Sequence, residues 1–114
     1  MSAVTTHVLD LSRGRPAAGV EIHLEKLEDG GAWSPLGRGA TDDDGRLRTL
    51  LPGNTPLLAG TYRLVFSTGA YFARLRVPTL YPHVTVVFNA SPGETHYHVP
   101  LLLSPYGYST YRGS

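Results

Sequence analysis

The chain has 114 residues, the size of one domain, so residues 1–114 are read as a single unit. Its 10 basic and 9 acidic side chains leave a formal charge of +1, with no basic stripe for nucleic acid. With 41% hydrophobic and 17% charged residues it is not a disordered chain, and with no cysteine it has no disulfide, thiolate zinc site or cysteine nucleophile. No apolar run approaches the roughly 20 residues of a membrane span, and residues 1–10 lack the basic cluster and apolar core of an export signal, so a cytoplasmic location is expected.

In chain order, the apolar pattern is mostly of period two, the mark of half-buried strands. Residues 4–10 read as extended, with Thr5, His7 and Leu9 on one face. Val20, Ile22 and Leu24 alternate with Glu21, His23 and Glu25. Residues 47–51 form a further candidate, followed by Tyr62, Leu64 and Phe66, then Val84, Val86 and Phe88, then residues 95–103. Glycine, proline and aspartate clusters at residues 13–16, 28–31, 42–45 and 51–54 separate these runs, and the pattern predicts an all-β sandwich. Residues 70–76 fit two helical turns stopped by Pro78, and fit a strand as well. The last segment carries Leu101 to Leu103, then Tyr106, Tyr108 and Tyr111. Loose, it would expose a large apolar area, so it is expected to pack, against another subunit among other choices.

Five histidines are available: His7, His23, His83, His96 and His98. In an extended strand His96 and His98 point the same way, with Cβ atoms about 6–7 Å apart. Imidazole exchanges protons near neutral pH, although two histidines at this spacing also suit a solvated strand face. With His7 they offer three imidazoles to zinc, but no carboxylate stands at a ligand spacing near them, and no metal is expected. The chain has no Gly-X-Ser-X-Gly elbow, phosphate loop or dinucleotide fingerprint, so activated water is simpler chemistry than a covalent serine. Asp42-Asp43-Asp44-Gly45 lacks the later glutamate of a calcium loop and reads as a hairpin turn, with Arg46 opening the next strand. A guanidinium is always charged and suits a heterocyclic oxyanion.

Three segments carry a resemblance. Thr6-His7-Val8-Leu9-Asp10 followed by Gly14-Arg15-Pro16-Ala17 resembles the first strand and turn of the transthyretin-like family. Thr41-Asp42-Asp43-Asp44-Gly45-Arg46 resembles its Thr-X-X-Asp-Gly-Arg turn. Residues 96–114, ending Tyr111-Arg112-Gly113-Ser114, are similar to the C-terminal block of the 5-hydroxyisourate hydrolases within that family, and this ending separates them from the hormone carriers. The resemblance implies a sandwich of two four-stranded sheets with one short helix. It implies a homotetramer, a dimer of dimers, with sites in a central channel. It also implies hydrolysis of 5-hydroxyisourate to 2-oxo-4-hydroxy-4-carboxy-5-ureidoimidazoline in urate breakdown, with no cofactor. The functional residues carried over are His7, Arg46, His98, Tyr111, Arg112 and Ser114, with His96 in a supporting place.

Hydrolysis by water needs a base, a stabiliser for the oxyanion and a grip on the ring. Neutral His7 or His98 can serve as the base, and either choice stays open. Arg46 can hold the developing charge, while Tyr111, Arg112 and the Ser114 terminus close the pocket. A carrier of transthyretin type would not need two imidazoles beside an arginine. A plain interaction module would leave the aromatic tail without a purpose.

Overall fold

Period-two alternation becomes two packed sheets in the computed structural model, which describes residues 2–114. The second sheet is the simpler. It runs β4 (Trp33–Ala40), β3 (Glu21–Leu27), β6 (Gly60–Phe66) and β7 (Val84–Ala90), antiparallel throughout. Its register sets Ile22 beside Phe66 and Val84, and Leu24 beside Leu64 and Val86, so one face is continuously apolar. These side chains are almost wholly buried, each worth about 1.5–3 kcal/mol of transfer free energy.

The first sheet is organised by β1 (Val4–Asp10). Along one edge it pairs antiparallel with the short β5 (Arg46–Leu47) and β2 (Arg15–Pro16). Along the other it pairs parallel with β8 (Tyr97–His98) and β9 (Leu101–Ser104), and β10 (Gly107–Thr110) closes that side. Six segments thus make four ranks, and the architecture is a transthyretin-like sandwich of two four-stranded sheets with one short helix. Val4, Val8, Leu101 and Leu103 turn inward onto the other sheet's core. Thr5, His7 and Leu9 therefore turn outward, as their parity predicts.

Several elements depart from the sequence reading. The stretch 95–103 is not one strand: Pro100 has no N–H to give the ladder and divides it into β8 and β9. Of residues 47–51 only Leu47 is paired, while Leu50 and Leu51 fill the core from irregular chain. Strand β4 was not anticipated, because Trp-Ser-Pro-Leu-Gly-Arg-Gly-Ala is an exposed edge with no alternation. Residues 70–76 are helical in part: α1 spans Thr68–Arg74. Its stop is not Pro78 but Arg76, at φ 59°, where Val77 N–H closes on the Phe72 carbonyl and Arg76 N–H on that of Ala73. The tail backbone is held through β10, yet Tyr106, Tyr108 and Tyr111 leave much of their rings outside.

Candidate active site

The outer face of the first sheet collects the charged residues, and a turn begins the construction. Asp42 Oδ1 accepts the N–H groups of Asp44 and Arg46, each at 2.9 Å, closing residues 42–46 on themselves. Those bonds, the Arg46 amide first, hold the Asp42 carboxyl below the usual carboxylate range against the opposing effect of desolvation. Gly45 sits at φ +77°, and a Cβ there would stand 2.3 Å from the Val8 carbonyl, so only glycine brings this turn against β1. Its carbonyl accepts Val8 N–H at 2.7 Å.

That docking sets Arg46 directly opposite His7 in the β1–β5 register, which puts their Cα atoms about 4.5–5.5 Å apart. His7 Nε2 donates to the Asp44 carbonyl at 2.8 Å. A carbonyl only accepts, so the proton of a neutral His7 is on Nε2 and Nδ1 keeps its lone pair.

His98 arrives on the same face from the opposite edge of β1, opposite Thr5. Thr5 Oγ1 lies 2.8 Å from His98 Nδ1 and 3.1 Å from His96 Nε2. Behind the ring, Gly113 N–H donates to the His98 carbonyl at 2.7 Å, and a Cβ on Gly113 would come within 2.5 Å of His98 Cδ2. Burial, then the positive Arg46 and the neighbouring His7, His96 and Arg48, push His98 below the ordinary imidazole value. It is a neutral base or hydrogen-bond partner at neutral pH.

His7, Arg46, His98 and His96 are thus brought together on one face. The tail residues divide. Ser114 lies with His96, Thr95 and residues 53–56 around a concavity of about 610 Å³. Arg112 turns away from His7: its guanidinium stacks 4.3 Å from the Tyr97 ring centre and bonds Glu94 and the His96 carbonyl, each at 3.2 Å. With Tyr111 it lines a separate groove of about 240 Å³ against Val86, Val87, Phe88 and Asn89 of β7. Among the described residues no group of three or more His, Asp or Glu side chains is placed to hold a metal ion. Two contributors were missed from sequence: Thr5 and the Asp44 carbonyl. Only Thr5 left a signal, its shared face with His7; the other depends on a contact between residues far apart in the chain.

Residues 4–113 match the HIUase/Transthyretin family. A 5-hydroxyisourate hydrolase of Salmonella dublin is 49% identical over 97% of this chain and 80% of its own. A probable 5-hydroxyisourate hydrolase of Caenorhabditis elegans is 48% identical over 99% of this chain and 82% of its own. Among solved structures, 5-hydroxyisourate hydrolase of Klebsiella pneumoniae superposes with a TM-score of 0.85 at 40% identity, each chain covered in full. Transthyretin from Sparus aurata superposes at 0.89 with 32% identity, over 99% of this chain and 97% of its own. Fold and sequence agree, and the chain belongs to the HIUase/transthyretin family.

Proposed function

We propose that this chain hydrolyses 5-hydroxyisourate in urate breakdown, on the outer face of the first sheet. The observation that carries the reading is the meeting of two imidazoles and a guanidinium across β1. The hydrolases named above supply the substrate, and the transthyretins share the fold.

The residues have separable roles. His7, with Nε2–H tied to a carbonyl, offers Nδ1 to take a proton from water. Arg46, beside it, stabilises the negative charge that gathers on the attacked carbonyl oxygen. His98 Nε2 has its ring fixed from both sides and gives a proton to the departing ring nitrogen. The ring N–C bond breaks, and the carboxylate forms from the added water. Ser114, beside His96, borders the site, while Tyr111 and Arg112 stand at the β7–β10 side where a second copy would join.

The edges of the sandwich support that assembly. β7 and β10 are the outer strands of their sheets, and the groove between them joins the two on one side of the molecule. Val87 and Tyr111 are more than half exposed there, a combination that suits pairing with a second copy. A flat sheet face becomes a closed pocket when a further dimer covers it, giving the dimer of dimers. Freshly generated 5-hydroxyisourate, followed by its ultraviolet absorbance, tests the activity. Catalytic amounts of the protein are expected to speed its decay, and decay no faster than in buffer overturns the reading.

A further inference from the structure

Thr5 is 3% exposed, and its hydroxyl touches two imidazoles at once: His98 Nδ1 at 2.8 Å and His96 Nε2 at 3.1 Å. A hydroxyl has one proton to give, so it donates to one ring while accepting from the other. Three groups are therefore locked into a single direction of hydrogen bonding. The end groups differ. His98 faces the charged cluster, while His96, outside the strand, borders the concavity that holds Ser114.

We propose that Thr5 is a positioning residue whose hydroxyl holds His98 in one tautomer and links its proton to His96, the solvent-side end of a three-group relay. The inference rests on the hydrolase reading above. A neutral His98 that gives up Nε2–H must regain a proton at Nδ1, otherwise it is left as an imidazolate. The relay supplies it. As the ring N–C bond breaks, its electron pair takes the proton from His98 Nε2. Thr5 Oγ1–H passes its proton to His98 Nδ1, and His96 passes Nε2–H to Thr5 Oγ1 while its Nδ1 takes a proton from solvent. One proton has thus moved along the chain from solvent to the leaving nitrogen, and each ring has exchanged one N–H for the other. After product leaves, a solvent proton taken up at His98 Nε2 and one released from His96 Nδ1 reverse all three bonds.

The surroundings oppose charge at the His98 end. His98 is faced by Arg46, His7 and Arg48, a positive neighbourhood that opposes an imidazolium there. His96 has Ser114 beside its concavity, and the Arg112 guanidinium on its carbonyl is itself paired with Glu94. Thr5 is therefore better placed to connect the two rings than to act on substrate.

Thr5→Val keeps the shape of the side chain and removes the hydroxyl. It is expected to lower kcat about 10- to 100-fold with little change in KM, because the relay acts on the chemical step and not on binding. Thr5→Ser is expected to restore most of the rate. His96→Gln is expected to cost about as much as Thr5→Val, and the double variant no more than either single one, because both break one chain. Multiplying losses in the double variant, or a Thr5→Val enzyme with unchanged rate, overturns the proposal. Nitrogen-15 spectra of the unaltered protein supply a readout that needs no substrate and no variant. His98 is expected as a single tautomer protonated on Nε2, and a His98 protonated on Nδ1 or averaging between the two overturns the proposal. Failure of the unaltered protein to consume 5-hydroxyisourate would instead overturn the hydrolase reading, and the spectra would still judge the tie.

Discussion

At the scale of single residues, the site depends on positive charge held beside an imidazole that cannot share it. Burial comes first and Arg46 second in lowering the His98 value. Removing the cation in Arg46→Ala is therefore expected to raise the His98 value toward the usual 6.5 or so, measured by NMR titration. No upward movement would show that burial alone sets it. The sign for stability follows. A histidine whose value is lowered on folding is charged more readily in the unfolded chain, which binds more protons just below the ordinary value. Its contribution to stability is full above the unfolded value and is lost as pH falls through the folded one. Gly113 acts by space. Gly113→Ala puts a methyl group into the His98 ring, and a small displacement there is expected to cut turnover by about 10-fold or more. A Gly113→Ala protein with unchanged turnover would show that the ring moves aside freely.

At the scale of elements, the 42–46 turn carries the most consequence for its size. Asp42 holds the amides of Asp44 and Arg46, and through them the carbonyl that orients His7 and the arginine beside it. Asp42→Ala is expected to lower turnover about 10-fold or more with only a small fall in melting temperature, since its bonds are exposed and hold the turn locally. A thermal melt beside an activity measurement checks this; equal loss in neither or in stability alone would contradict it. The turn was readable from Asp-Asp-Asp-Gly because its bonds are local. So were β1, β3, β6 and β7, whose alternating residues need only an apolar partner. Strand β4 was not, since the face it turns inward carries Gly37 and Gly39, set against Leu50 and Leu47, and glycine leaves no apolar period to read. The His96–His98 spacing suggested two side chains on one strand face, but their common tie to Thr5 requires the parallel docking of β8 on β1, about 90 residues apart in the chain. Residue types and parity were legible; contacts that cross the fold were not.

At the scale of the whole molecule, the two grooves of the tail lie on different sides of the chain. The outer face of the first sheet is open, and His7 and Arg46 are only half-buried on it. Arg112 and Tyr111 face β7 instead, on the side where both sheets end. The proposed association at that side and across the open face would account for both. Sedimentation at micromolar concentration is expected to show a tetramer, with activity per subunit falling on dilution as it dissociates. A fully active monomer would contradict the assembly and require a pocket within one chain.

The central claim is that this face performs the hydrolysis. The most direct measurement compares the decay of fresh 5-hydroxyisourate with equal amounts of the unaltered protein, Arg46→Ala and His98→Ala, each shown to be folded. The account predicts rapid decay with the first and a loss of about 10²-fold or more with each variant. Variants as fast as the unaltered protein would place the chemistry elsewhere.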